Sequence, residues 1–159
     1  MSRVNTYLNF PRNTEDAFNF YKSVFGGEFA YLGRFKDMPS TGGKTMNAGQ
    51  GNRIMHVSLP ISHETILMGS DSSDEFGQAT VIGNNFSISL SADDKPQADA
   101  LFKKLSAGGN PTMPMGDTFW GSYFGMLTDK FGINWMVSYD KQPVEEKVKQ
   151  SKTAEVQDN

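Results

Sequence analysis

The sequence predicts an α+β fold of paired βαβββ modules whose cupped mixed sheet surrounds a central cavity. One observation is an i, i+3, i+4, i+7 spacing of apolar residues that occurs twice and predicts two amphipathic helices. The spacing is formed by Ala17, Phe20, Tyr21 and Val24, and again by Ala98, Leu101, Phe102 and Leu105. A second observation is that each helix follows one apolar segment and precedes three more. Neither half has enough apolar surface to close a core alone, so the two are expected to pack together.

The first module is predicted to span about residues 4–72. Thr6–Phe10 is a short apolar segment that stops at a proline, which is typical of a strand. In the helix that follows, Asn13 or Thr14 can cap the first turn, and Gly26 and Gly27 end the last one. Further strands are predicted at residues 28–35, 54–60 and 65–69, with a long loop at residues 36–53.

The second module is predicted to span about residues 84–140 and to repeat this order. Asp94 can cap its helix, Pro96 suits the first turn, and Gly108 and Gly109 end it. Its strands are predicted at residues 85–91, 110–113, 122–128 and 133–138. Both modules are expected to form a single domain, residues 1–140, and residues 141–159 are expected to be a solvated C-terminal tail because they contain no aromatic residue.

Composition excludes several classes of function. The 159 residues include no cysteine, which excludes disulfide scaffolds, thiolate nucleophiles and Cys-ligated metals. A net charge of −3 without a dense basic stripe argues against a nucleic-acid partner. Because no apolar run approaches the ~18 residues of a membrane span and the N-terminus lacks a signal-like apolar region, we expect a cytoplasmic protein without a membrane partner.

Five segments of the sequence together form a recognisable set. They are Tyr7-Leu8-Asn9-Phe10, Phe20-Tyr21-Lys22-Ser23-Val24-Phe25-Gly26-Gly27, Met55-His56-Val57-Ser58-Leu59, Asp117-Thr118-Phe119-Trp120-Gly121 and Asp129-Lys130-Phe131-Gly132-Ile133-Asn134-Trp135. With these segments the chain resembles the PhnB-like branch of the vicinal oxygen chelate superfamily, which includes glyoxalase I, bleomycin-resistance proteins and extradiol dioxygenases. The resemblance covers about residues 6–140. It implies paired βαβββ modules around a metal or small-molecule site, often in a homodimer.

The resemblance also implies where metal ligands would stand, namely on the first and last strands of the modules. The matching positions hold Thr6, Asn85 and Met136 where His or Glu is usual, and Leu8 shares the strand face of Thr6. Divalent transition metals prefer imidazole, carboxylate or thiolate donors. The sequence therefore predicts no metal cofactor, with a divalent metal at a relocated site as the alternative.

His56 is the main candidate for an acid–base or ligand-binding side chain. It lies in a predicted strand and shares a face with Ser58 by alternation. The alternative is a buried histidine whose hydrogen bonds are purely structural. Tyr7 and Asn9 point to the side of the first strand opposite Leu8 and are further ligand-binding candidates, but the pattern leaves open which face lines the cavity.

A polar and aromatic cluster stands out in the second module. Asp117 and Trp120 are expected to line the mouth of the pocket, and Asp117 is also a candidate catalytic residue. The alternative is that Asp117 caps a turn and Trp120 packs in the core. Tyr123 and Asn85 are further ligand-binding candidates, whereas Asp129 is expected to organise a tight turn through its side chain.

Three hypotheses about function follow. The leading one is a cytoplasmic, homodimeric protein that binds a small organic molecule in its cavity without the standard metal triad. The second is a metal-dependent lyase, isomerase or dioxygenase with a relocated site built on His56 and Asp117. The third is a structural or interaction module whose aromatic surface serves dimerisation.

Overall fold

A computed structural model describes residues 2–39, 48–72 and 79–141 of the chain. The chain divides into two compact units, residues 1–81 and 82–159. The predicted tail after Lys141 and the middle of the predicted loop 36–53 lie outside the described residues. None of the helices in the described ranges is both long and apolar enough to cross a membrane.

The first unit is a four-stranded mixed sheet with one long helix. Its elements are β1 (Thr6–Phe10), α1 (Thr14–Phe25), β2 (Tyr31–Arg34), a 3-10 turn (Phe35–Asp37), the short α2 (Ala48–Gly51), β3 (Ile54–Pro60) and β4 (Ile66–Asp71). The strand order is β1-β4-β3-β2, in which β1 and β4 are parallel and the other neighbours are antiparallel.

The second unit repeats this topology. Its elements are β5 (Ile88–Ser91), α3 (Lys95–Ser106), β6 (Asn110–Asp117), β7 (Ser122–Thr128) and β8 (Asn134–Asp140). The strand order is β5-β8-β7-β6, with β5 and β8 parallel and the other neighbours antiparallel. The predicted α+β fold with two βαβββ modules is therefore confirmed.

Five predicted strands have different bounds in the structure. The strand predicted at residues 28–35 is Tyr31–Arg34, that at 65–69 is Ile66–Asp71, and that at 133–138 is Asn134–Asp140. The other two differ more. The predicted strand 85–91 begins only at Ile88, because the Asn134 side chain, and not a strand partner, binds the main-chain oxygens of Gly83 and Phe86, both at 3.4 Å. The predicted strand 110–113 extends to Asp117 despite Pro114. It lies at the edge of its sheet, where a missing amide hydrogen is tolerated and the register can shift.

The buried stripe of α1 differs from the predicted one by one aromatic residue. Phe18 is fully buried, whereas Phe20 is only half-buried. A Cβ on Gly69 would lie 2.7 Å from Cε2 of Phe18. The absence of a side chain on β4 at this point therefore makes room for the Phe18 ring.

The two long helices begin with different caps. In α3 the Asp94 side chain accepts the main-chain N–H of Gln97 at 2.8 Å, as predicted. In α1 the predicted side-chain cap is wrong, because Asn13 makes no capping hydrogen bond. Instead, Oδ1 of Asp71, at the end of β4, accepts the N–H of Thr14 at 3.0 Å.

Candidate functional site

One face of the first sheet packs on α1, and the other carries most of the candidate residues of this unit. Leu8 pairs with Gly69 on the α1 side, where the Phe18 ring lies against Gly69 and Leu8 is buried. Alternation then places Tyr7 and Asn9 on the opposite side. This opposite side, which we call the aromatic face, consists of Tyr7, Asn9, Tyr31, His56, Ser58, Met68 and Ser70.

Three rings meet at the centre of the aromatic face. The centroid of the His56 ring lies 5.6 Å from that of Tyr7, with 25° between the planes. It lies 5.8 Å from that of Tyr31, with 35° between the planes. The Tyr7 hydroxyl is hydrogen-bonded to Nδ1 of His56 at 3.2 Å, which holds the imidazole in one orientation.

The surroundings of these rings are polar, and both tyrosines are accessible, whereas Ser58 is buried. Tyr7 is 43% exposed and Tyr31 is 49% exposed. Ser58 pairs with both Tyr31 and Met68 across the strands, and the Ser70 hydroxyl donates to Oδ1 of Asn9 at 3.4 Å. The face therefore offers flat ring surfaces beside hydroxyl and amide groups, a combination suited to a planar polar molecule.

Sequence reasoning missed Tyr31 and Met68 as parts of this group. Tyr31 lies opposite Ser58, and Met68 lies between Ser58 and Tyr7 in the same cross-strand row. Alternation along each predicted strand indicates which side chains share a face of the sheet. It does not indicate which strands pair, and it is this pairing that brings Tyr7, Tyr31, Ser58 and Met68 into one row.

In the second unit, Tyr123 faces α3. Its hydroxyl donates to Oδ1 of Asp99 at 2.6 Å, and the Lys95 ammonium lies 4.6 Å from its ring centroid. The hydrogen bond to Asp99 raises the pKa of Tyr123. These contacts favour a structural role for Tyr123, and alternation puts its neighbour Phe124 on the other side of the sheet.

The remaining candidates of the second unit lie at its surface. Asp117 is exposed and lies 3.5 Å from each of the ammonium groups of Lys95 and Lys141. The Trp120 ring, 52% exposed, makes edge contacts with Phe119 and Phe124 at 4.9 and 6.1 Å. Asn85 is exposed and precedes β5.

The positions at which the resemblance implied metal ligands do not form a metal site. Thr6 shares the α1 side of the first sheet with Leu8, whereas Met136 pairs with Met126 in the second. Over residues 2–39, 48–72 and 79–141, no three His, Cys, Asp or Glu side chains are grouped so that they could hold a metal ion. The donors present do not fit a divalent transition metal, which needs several imidazole or carboxylate ligands.

Two four-stranded mixed sheets, each with a long helix on one face, define a protein of paired βαβββ modules. The chain belongs to the glyoxalase/bleomycin resistance protein/dioxygenase superfamily, whose family model matches residues 3–137. The predicted resemblance is thereby confirmed at the level of the superfamily.

Individual relatives agree with this assignment. Protein YjdN of Escherichia coli strain K12 is 32% identical over 145 residues, which cover 87% of this chain and 96% of YjdN. The crystal structure of PA1353 from Pseudomonas aeruginosa has a TM-score of 0.74 and 34% identity, covering 88% of this chain and 98% of that one. A PhnB protein from Bacillus cereus has the same fold, with a TM-score of 0.68, 24% identity and coverage of 87% and 99%.

Proposed function

We propose that this protein binds a small, planar organic molecule on the aromatic face of the first sheet. The observation that carries the proposal is the ring cluster in which His56 lies beside both Tyr7 and Tyr31. Ring-on-ring contacts contribute about 0.5–1.5 kcal/mol each beyond the area they bury. A flat ligand stacked on this cluster gains such contacts, whereas a puckered ring of equal size does not.

The polar groups around the cluster give the ligand its orientation. Asn9 and Ser70 flank the rings with one amide and one hydroxyl, whereas Ser58 is buried, and the Tyr7 hydroxyl fixes the plane of His56. Directional hydrogen bonds of this kind select among ligands of similar size, because an unmatched polar group loses its hydration without compensation. The ligand class is therefore a planar ring that carries at least one hydrogen-bonding substituent.

Asn85, Asp117, Trp120 and Tyr123 remain predicted ligand residues of the second unit. Among them, Trp120 has the most ring surface exposed, and Asp117 carries a charge that Lys95 and Lys141 partly balance. Trp120→Ala, which leaves the tyrosines of the first sheet in place, tests this part by its effect on phenol binding.

The proposal assigns no divalent metal to the site, because the described histidine and carboxylate side chains do not converge on one point. We also propose that the protein acts in the cytoplasm as a homodimer and without nucleic acid. The net charge of −3 supports the lack of a nucleic-acid partner. Light scattering of the purified protein tests the dimer.

The test compares two neutral probes that differ mainly in planarity, phenol and cyclohexanol. Saturation-transfer NMR is expected to detect phenol binding and to show much weaker binding of cyclohexanol. Tyr31→Leu should weaken phenol binding roughly two- to tenfold, the amount that one ring contact contributes. Tyr139→Leu, which removes a tyrosine from the second unit, is the matched control and should leave binding unchanged. Equal binding of both probes, or no effect of Tyr31→Leu, would contradict the proposal.

A further inference from the structure

Hydroxyl groups of the protein already occupy the acceptor atoms of two polar side chains on the aromatic face. The Tyr7 hydroxyl lies 3.2 Å from Nδ1 of His56. The Ser70 hydroxyl donates to Oδ1 of Asn9 at 3.4 Å, and these two residues are cross-strand partners. What His56 and Asn9 can still offer to a ligand is therefore decided by the second polar atom of each side chain, which is a nitrogen in both.

The hydrogen bond at Nδ1 decides which nitrogen of His56 carries the proton. A neutral imidazole has one N–H donor and one acceptor nitrogen, and the partner of one nitrogen sets the tautomer. The seven described residues of the aromatic face include no charged side chain, so the Tyr7 hydroxyl is the group that acts on Nδ1. An imidazole nitrogen accepts more strongly than a phenol oxygen, whose lone pair is delocalised into its ring. The contact therefore favours donation by Tyr7 and a proton on Nε2.

The Nε2 atom of His56 is available to a ligand. Over residues 2–39, 48–72 and 79–141, no group of the protein is hydrogen-bonded to it. The ring itself is only half-buried, and it lies beside the accessible rings of Tyr7 and Tyr31. An N–H group in such a place needs a partner from outside the protein once a ligand displaces the water around it.

Asn9 offers hydrogen-bond donors for the same reason. Because Oδ1 accepts the Ser70 hydroxyl, the amide presents the two N–H groups of Nδ2. In the part of the chain that the structure describes, these N–H groups have no acceptor. Asn9 lies two positions from Tyr7 on the same face of β1, so its amide stands at the side of the ring cluster.

A flat ligand on the rings therefore meets N–H donors at two places, on His56 and on Asn9. The complementary group on the ligand is an oxygen acceptor that lies in the plane of its ring, such as a carbonyl conjugated to that ring. A ligand of the same shape without this oxygen leaves the N–H groups without water and without a partner, which costs affinity. The acceptor, and not the ring alone, then distinguishes between flat ligands.

We propose that His56 is the specificity-determining residue of the aromatic face, and that its Nε2–H donates a hydrogen bond to a carbonyl oxygen of a planar ligand. Tyr7 is a positioning residue in this arrangement, since its hydroxyl keeps the proton of the imidazole on Nε2. This inference rests on the proposed function, because it needs a flat ligand on the rings. It adds the chemical group by which that ligand is recognised.

The test compares two planar probes of nearly equal shape, acetophenone and α-methylstyrene, which has a CH₂ group in place of the carbonyl oxygen. NMR titration of the full-length protein gives the ratio of their affinities, in which the contribution of ring stacking cancels. His56→Phe keeps a flat ring and removes Nε2–H. It should lower the ratio about three- to tenfold in disfavour of acetophenone, the amount that one hydrogen bond contributes. His63→Phe changes the other histidine of the chain and is the matched control.

The role of Tyr7 has its own readout. Nitrogen-15 NMR of the His56 ring in the ligand-free protein should show the proton on Nε2, and Tyr7→Phe should shift both ring signals towards a mixture of the two tautomers. The same variant should lower the affinity ratio by less than His56→Phe does, because part of the imidazole still carries Nε2–H. Tyr139→Phe, which removes a hydroxyl from the second unit, should change neither quantity.

The possible failures can be told apart. If neither probe binds, the proposed function fails and this inference fails with it. If both probes bind and His56→Phe leaves the ratio unchanged, the planar site stands and the role of His56 is overturned. A proton found on Nδ1 in the wild type also overturns it. If His56→Phe does not fold, Tyr7→Phe decides the matter, since unchanged ring signals and an unchanged ratio would contradict the proposal.

Discussion

The indole nitrogen of Trp135 donates a hydrogen bond to Oδ2 of Asp129 at 2.8 Å, and both residues are buried. Oδ1 of the same carboxylate accepts the main-chain N–H groups of Phe131 at 2.8 Å and Ile133 at 3.0 Å. The predicted turn at Asp129 is thus confirmed, and its carboxylate also anchors the start of β8. This part of the sequence signature is structural.

Asp129→Ala is expected to destabilise the protein by about 2–4 kcal/mol, because it leaves several buried donors without an acceptor. Urea denaturation followed by tryptophan fluorescence measures the change. Asp93→Ala, which removes an exposed carboxylate from the same unit, should change the free energy of unfolding by less than about 0.5 kcal/mol. Equal effects of the two substitutions would show that the Asp129 network adds no stability.

The Glu15–Arg34 pair gives stability a dependence on pH. The pKa of Glu15 is lowered in the folded protein, so its contribution is fully present above the unfolded pKa of about 4.3 and is lost as the pH falls through the folded pKa. Since Glu15 is 46% exposed, solvent screening limits the contribution to about 0.5–1 kcal/mol. Chemical denaturation should show Glu15→Gln less stable than wild type at pH 7 and equal to it near the acid end. Glu64→Gln, in an exposed turn, should show no such divergence.

Gly69→Ala is expected to destabilise the first unit by about 1–3 kcal/mol through overpacking. The new methyl group would lie 2.8 Å from the main-chain oxygen of Leu8 and 2.7 Å from the Phe18 ring. Gly116→Ala is the matched control, because nothing lies within 4 Å of its added Cβ. Thermal unfolding of the two variants should show a lower Tm for Gly69→Ala alone.

Gly33→Ala is expected to weaken phenol binding several-fold with little loss of stability. An added Cβ at Gly33 would overlap the Tyr31 side chain, with Cε1 at 2.8 Å. This ring can swing away at low cost, and it would then leave its position beside His56. NMR titration with phenol and thermal unfolding measure the two effects. Unchanged phenol affinity would indicate that the position of Tyr31 does not matter for the ligand.

Metal analysis bears on the alternative of a metal-dependent enzyme. Because the donors do not converge in the described residues, untagged protein purified without chelator should contain only substoichiometric metal. Added Ni²⁺, Zn²⁺, Mn²⁺ or Fe²⁺ should leave the Tm unchanged, since only a ligand that binds the folded state raises it. About one tightly held metal per chain, lost in His56→Ala, would favour the enzyme instead.

Local patterns predicted the secondary structure well where local forces determine it. The strands β1, β3 and β7 have the predicted bounds, and both long helices lie where the apolar spacing put them. The duplication was visible because each module repeats the same order of local signals. Predictions failed where a distant residue intervened, as when Asp71 capped α1 from 57 positions along the chain.

The sequence by itself determined the modules, the superfamily and the residue types available for chemistry. Only the tertiary structure determined which of these residues lie in contact with one another. Strand register joined Tyr7, Tyr31 and His56, and the parallel pairing of β1 with β4 set Asp71 beside the amino end of α1. The physical reason is that periodicity reports the face on which a side chain lies, whereas contacts across a sheet depend on pairing between segments that local preferences do not encode.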